Sequence, residues 1–313
     1  MAAKQDSLIT AWQALHCGLT RYDIRTRIRR REWLALIRGV YLTEAELYVD
    51  GLPQPTWWRA ALLAHGQGAC LVGSTALRAL GVAGLPAVDD HILEISVPGG
   101  VSKRPRASRE SLLATFGDGP IVRVRQLVVP PQDVIRKDGL QVRSIIPSLA
   151  DVGLLASRPV ALSILDSALN LGLIVPDDLP EIELRARGRR GAVKLRDLLP
   201  FADGRAESPL ESRVRLACID GHVAPDELQY AVRDRFGMLV ALGDLAWIKF
   251  RRRPLIAEAD GVSVHALPEA VFRDRRRGNA ITAQSCDTIR FTWADAMQPR
   301  RIAAAVRAAL TAA

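Results

Sequence analysis

Cysteine is scarce and scattered: Cys17, Cys70, Cys218 and Cys286 stand far apart, with no C-x-x-C pair among them. That spacing fits neither a zinc cluster nor a disulfide framework, and it leads us to expect a reducing, cytoplasmic compartment. Long apolar runs are missing too. No segment reads as a bilayer span, and the opening stretch MAAKQDSLITAWQALHCG lacks the continuous apolar core of a secretory signal, so no membrane partner is expected. Lysine is rare, since 38 of the 43 basic residues are arginine.

What is present is hydrophobic mass and positive charge. Hydrophobic residues make up 49% of the 313, enough for real cores, and the length suits two or three domains. The formal net charge is +9, and the arginines cluster as TRYDIRTRIRRREW, RARGRRGAVKLR, KFRRRP and FRDRRRGN. Any one cluster could be a solvated helix face. Recurring along a chain with no membrane segment, they point to a polyanion, with double-stranded DNA the leading partner.

Residues 1–50 read as a winged helix-turn-helix. Thr10 can cap a short helix through His16, Gly18 supports a turn, and Thr20 can cap a second helix over about Arg21 to Arg31. Its apolar side carries Tyr22 or Ile24 together with Ile28, and WLALIRGVYL then alternates like a small hairpin. Arg21, Arg25, Arg27, Arg29, Arg30 and Arg31 would lie against a duplex, or else form an exposed basic face. The stretch LITAWQALHCGLTRYDIRTRIRRREWLALIRGVYL resembles the N-terminal domain of AbiEi-type antitoxins, with GLT…IR…I…RGVYL its most recognisable part. That resemblance implies an autorepressor paired with a cognate toxin. Arg31-Glu32 stands where the family usually has a glycine at the head of the wing.

Residues 57–200 read as a mixed α/β region. TWWRAALLAHG, GSTALRALGV and SRPVALSILDSALNLGLI are helix candidates, while HILEISVP and PIVRVRQLVV are strand-like. VGSTALRALGV, DGLQVRSIIPSLADVGLL and ALSILDSALNLGLIVPDDL resemble the middle domain of the same antitoxins, which is distantly similar to minimal nucleotidyltransferases. Asp89, Asp90 and Glu94 are the nearby carboxylates, and their spacing is not the usual Asp-x-Asp, so a structural or partner-binding role is expected here. PFADGRAESP marks the last boundary.

Residues 205–313 open with a well-marked helix start: Ser208 as N-cap, Pro209 at the first helical position, and Glu211 where a capping-box glutamate belongs. ELQYAVRD and MLVALGDLAW form a hairpin pattern around Arg235-Phe236-Gly237, PLIAEAD a third strand, PEAVFRDRRRGNAITAQ a helix, DTIRFTW a strand and DAMQPRRIAAAVRAAL a closing helix. The order predicts an α/β sandwich. Glu211, Asp244, Glu258 and Asp260 fall at element ends, and carboxylates converging there would repel unless they hold a hard cation such as Mg2+ or Mn2+. Each also has a plainer reading. Glu211 can simply cap its helix, Asp260 before Gly261 is turn chemistry, and His265 can be a loop histidine. Arg273, Asp274, Arg277 and Asn279 can form a solvated face, or Arg277 can bind phosphate.

ESPLES, ELQYAVRD, GDLAW, EADG with His265 after it, FRDRRRGNAI and IRFTWAD together resemble the PD-(D/E)XK nucleases, in the group similar to very-short-patch-repair endonucleases. The resemblance implies a restriction-endonuclease-like α/β/α sandwich with Asp244 and Glu258 as metal ligands and Glu211, or Glu207, completing the site. It puts Asp260 where many members carry lysine, and makes His265 a general base or phosphate contact. Gly243 replaces a branched apolar residue, Val264 replaces the first of a His-His pair, and KFRRRP lengthens the connection between Asp244 and Glu258. Two functions follow as expectations: a metal-dependent DNA endonuclease, or an AbiEi-like regulator or antitoxin whose nuclease-like domain no longer cuts. The sequence carries no signal for oligomeric state or DNA target.

Overall fold

Thr10 and Thr20 each start a helix by reciprocal hydrogen bonding. In the computed structural model, which describes residues 2, 5–48, 51–87, 91–98, 119–249, 252–261 and 286–311, helices α1 (Ala11–His16) and α2 (Arg21–Arg29) both carry full capping boxes. The Thr10 hydroxyl accepts from Gln13 N–H while the Gln13 side-chain Oε1 accepts from Thr10 N–H, and Thr20 and Asp23 repeat the pattern. Strand β1 (Leu8–Thr10) runs straight into the first cap and joins β2 (Leu34–Ile37) and β3 (Val40–Leu42) in an antiparallel sheet of order β1-β3-β2. Ile9, Ala14, Ile24 and Trp33 form the small core, with Ile28 and Tyr41 packed on it. Ile24, not the 66%-exposed Tyr22, is therefore the apolar anchor of α2. The helix is shorter than the sequence predicts: Arg30 is its C-cap and Arg31 sits at φ +59°, the left-handed conformation that glycine adopts without strain.

The chain divides into two compact units, Met1–Gly81 with Pro86–Val152, and Val82–Leu85 with Gly153–Ala313. The first unit continues with α3 (Gln54–His65), β4 (Cys70–Leu71), α4 (Gly73–Leu80), β5 (Ile92–Ser96), β6 (Ile121–Val124), β7 (Val134–Lys137), β8 (Leu140–Arg143) and α5 (Ile145–Leu155), in which the boundary falls. Its sheet is mixed, of order β6-β5-β4-β8-β7, with β4 parallel to β8 and antiparallel to β5. Asp138 and Gly139, both at positive φ, turn β7 into β8 as a two-residue hairpin loop.

The second unit begins with α6 (Arg158–Asn170), α7 (Leu179–Ala186) and α8 (Ala192–Arg196), which the sequence grouped with the central region. They share a core with α9 (Pro209–Asp220) through Ala161, Leu162, Leu198 and Leu216. Strands β9 (Glu227–Arg233), β10 (Leu239–Trp247), β11 (Leu255–Ala259) and β12 (Asp287–Phe291) form a sheet of order β12-β11-β10-β9, antiparallel except for the parallel β11–β12 pair. Helices α10 (Trp293–Ala296) and α11 (Pro299–Thr311) close the chain. Leu245, Trp247, Leu255 and Ala257 pack with Leu210, Val214, Ile302 and Val306 of α9 and α11, so these helices cover one face of the sheet. The fold is mixed α/β, as expected, and among the described residues no helix is long and apolar enough to cross a membrane.

Candidate functional site

Three carboxylates of the second unit are removed from water. Glu211 on α9, Asp244 on β10 and Glu258 on β11 retain 7%, 9% and 4% exposure. Ionised carboxylates are costly to bury, so the local bonding of each matters.

Glu211 sits where its cap places it. The Ser208 hydroxyl accepts from Glu211 N–H at 3.2 Å, as predicted. The return bond differs from a capping box: Glu211 Oε2 accepts from Glu207 N–H at 2.9 Å rather than from Ser208 N–H. The same oxygen accepts from the Gln229 side-chain amide at 3.0 Å. Gln229 lies in β9 at φ +52°, between Leu228 and Tyr230, whose partners are Leu245 and Gly243, so it falls opposite Asp244. This local break in the ladder aims the amide at α9. Burial pushes the Glu211 carboxyl above its ordinary pKa, and the neighbouring charges of Asp244 and Glu207 add to the rise, against the lowering effect of Glu207 N–H.

Asp244 reaches across the strands: its Oδ2 accepts from Ala259 N–H at 2.8 Å. Gly243 beside it faces Ile256 so closely that a Cβ would lie 2.5 Å from Ile256 Cγ2. A branched side chain there would force the two strands to shift, which accounts for the glycine. On β11, Leu255 and Ala257 belong to the helix-covered core, while Ile256 joins Val232, Ala241 and Ala246 in a separate cluster. Alternation puts Glu258 with Ile256. Glu258 pairs in register with Arg290 of β12, and Arg290 Nη1 stands 3.3 Å from Asp260 Oδ2 in a partly exposed ion pair. Asp260 N–H donates to Phe291 O, so this residue continues the strand contact past the end of β11.

Oxygen donors of this kind suit Mg2+ or Mn2+. Glu211 and Asp244 are close enough to raise the Glu211 pKa, yet among the described residues no three His, Cys, Asp or Glu side chains stand together as they would around a metal ion. The donor chemistry fits a hard cation, and the register that pairs Leu245 with Ala257 sets Asp244 opposite Glu258 on the neighbouring strand. His265, Val264, Arg273, Asp274, Arg277 and Asn279 lie outside the described residues, as do Asp89 and Asp90.

The arginines of α2 separate into two groups. Arg21, Arg25 and Arg29, four residues apart, are exposed along one stripe beside Tyr22. Arg27 is half-buried, 5.4 Å from the Trp33 ring and 3.5 Å from Glu32, and Arg30 also meets Glu32 at 3.8 Å. Arg31 is exposed beyond the helix.

Sequence reasoning missed Gln229 and Arg290, since nothing in ELQYAVRD or DTIRF marks a conformational break or a cross-strand acid partner. It also left Glu94 unexplained. Glu94 Oε2 accepts from Ser74 N–H at 3.0 Å at the start of α4, and Arg125 and Arg123 meet Oε1 at 3.2 and 3.9 Å. Gly73 gives it room, as a side chain there would collide with the Glu94 carboxylate. Glu94 thus closes the Gly-Ser turn from within.

No protein-family model matches the chain. Two proteins of Mycobacterium tuberculosis are similar to part of it: "Uncharacterized protein Rv2248" of strain H37Rv and "Uncharacterized protein MT2308" of strain CDC 1551. Each is 42% identical over 120 residues, which is 38% of this chain and 43% of the relative, so the chain spans less than half the length of the relatives it matches.

Proposed function

We propose that the chain is a cytoplasmic DNA-binding protein whose second unit hydrolyses DNA phosphodiesters with a divalent metal. The observation that carries this reading is the burial of Glu211, Asp244 and Glu258 on three neighbouring elements, with the Asp244 charge close enough to add to the rise in the Glu211 pKa. Such a pair is unfavourable by itself and favourable around a cation. Glu211, Asp244 and Glu258 would hold Mg2+ or Mn2+, which supplies Lewis acidity toward a phosphate oxygen and a more acidic bound water. The protein's own share is to orient and exclude. Gln229 fixes the Glu211 carboxylate, the Asp244 bond to Ala259 N–H fixes the β10 acid, and Arg290 brings positive charge beside Glu258 and Asp260, where a phosphate would need it. The exposed Arg21, Arg25 and Arg29 stripe would grip the backbone of the duplex as the helix of a winged helix-turn-helix.

Plasmid, mismatched duplex and single-stranded DNA incubated with the full chain in Mg2+ or Mn2+ test the enzyme reading. Cleavage is expected, abolished by chelation and by Asp244→Ala or Glu258→Ala. Absence of cleavage on all three substrates, or equal cleavage by the variants, overturns it.

A second reading has a specific observation behind it. The three acids do not stand together as a metal group among the described residues, and Asp260 is held by Arg290. A regulator or antitoxin of the AbiEi type, with a cognate toxin and a nuclease-like domain that no longer cuts, fits that arrangement. It expects a gel shift on the protein's own upstream DNA, lost in Arg25→Glu, with no cleavage in any metal.

A further inference from the structure

The first unit contains a cavity of about 620 Å3 that neither the α2 arginine stripe nor the carboxylates of the second unit use. The start of α1, the Arg38-Gly39 turn between β2 and β3, the end of α3 and the β7–β8 hairpin all contribute to its wall. Its size is that of a small-molecule site.

The lining chemistry is one-sided. Arg38, Arg59 and Arg136 line the cavity, and none of the described residues lining it is acidic. Arg59 is committed to structure: its Nε donates to Asp6 Oδ2 at 2.8 Å and its Nη2 to Asp138 O at 2.9 Å, which ties the hairpin turn to α3. Arg38 and Arg136 are exposed, and among the described residues neither meets an acid. Two cations lining one concave site raise the local concentration of anions. Trp12 adds a planar surface: it lines the cavity, is 66% exposed, and stacks on His16 at 4.4 Å, which leaves a ring face for a second planar group. Gln141 supplies an amide able to donate and accept.

A flat heteroaromatic ring joined to a phosphate matches all of these. We propose that this cavity binds a mononucleotide unit, with its base on Trp12, its ring edge against Gln141 and its phosphate between Arg38 and Arg136. The same chemistry is offered by a free nucleotide and by the terminal nucleotide of a nucleic-acid strand. The proposal does not rest on the hydrolase reading.

Isothermal titration of the full chain with 5′-AMP, adenosine, inorganic phosphate and a short blunt duplex tests it. AMP is expected to bind saturably, with adenosine and phosphate each weaker by about tenfold or more, since each keeps only part of the contacts. Arg136→Gln and Trp12→Ala should each weaken AMP by about tenfold while leaving the thermal melt unchanged, both residues being exposed. A saturating duplex that leaves AMP binding intact supports a free nucleotide as the ligand; displacement of AMP supports a strand end. No AMP binding at millimolar concentration, or AMP affinity unchanged in both variants, overturns the proposal. Duplex binding without AMP binding would overturn it while leaving the DNA-binding reading standing.

Discussion

Arg215 of α9 and Asp166 of α6 form an ion pair at 2.6 Å with both side chains almost wholly removed from water. Each end is tied further: Arg215 donates to Phe201 O at 2.6 Å, and Asp166 accepts from Asp203 N–H at 2.8 Å. The pair therefore fastens the helical segment from α6 to Asp203 onto the back of α9. The first turn of that helix carries Glu211. The packing of α6 and the placement of the buried acids are thus properties of one core rather than of two domains in sequence.

Removing one partner of this pair should be severe. Asp166→Asn leaves a guanidinium buried without its counter-charge and is expected to cost about 3–5 kcal/mol, read as a lowered urea midpoint. Replacing both, as Asp166→Leu with Arg215→Met, should recover part of the loss, because no buried charge is left unpaired, although Phe201 O and Asp203 N–H lose their partners. Equal destabilisation in the single and double variants would contradict the argument.

Gly243→Val tests the tight contact between β10 and β11. A Cβ there would sit 2.5 Å from Ile256 Cγ2, so a cost of about 1–3 kcal/mol is expected from overpacking. Ile256→Ala should relieve the clash, making the double variant less unstable than the two separate losses added together. Strict additivity in denaturant melts would mean that the strands part without strain.

Short-range chemistry made the helix starts legible. Thr10, Thr20 and Ser208 cap the helices that the sequence assigned to them, because a cap is decided within four residues. β4 was not legible, being two residues long, nor was β7, whose middle residues are exposed and show no alternation. Tyr22 and Ile24 could be separated only once Trp33 and Ile9 were seen on the Ile24 side. At the candidate site, Asp244 and Glu258 were visible as acids in apolar strands and Glu211 as a residue of the helix cap. The positive φ of Gln229, which turns its amide onto Glu211, has no counterpart in residue type.

The raised pKa of Glu211 predicts a pH signature without added metal. A carboxyl whose folded pKa lies above its unfolded value of 4.5 stabilises fully below that value, and the contribution is lost as pH rises through the folded pKa. Glu211→Gln removes this loss while keeping an oxygen to accept from Glu207 N–H. The variant should match the wild type below pH 4.5 and be more stable at pH 7, read as a higher midpoint in thermal melts. A variant no more stable than wild type at pH 7 would mean that the ionised carboxylate is well accommodated.

The two groups of α2 arginines should separate in DNA-binding assays. Arg25 is exposed in the middle of the Arg21, Arg25, Arg29 stripe, so Arg25→Gln should weaken binding to any duplex sequence. The slope of log K against log salt should fall in magnitude by about 1, the mark of one lost phosphate contact. Arg27 is engaged with Trp33 and Glu32, close to the small core of Ile9, Ala14 and Ile24. Arg27→Gln should therefore leave the salt slope nearly unchanged and instead lower stability by about 0.5–1 kcal/mol, the scale of an exposed cation–π contact. Fluorescence anisotropy over a salt series, with thermal melts of the same preparations, distinguishes the two. A reduced slope in Arg27→Gln and an unchanged slope in Arg25→Gln would place the duplex on a different face of the helix.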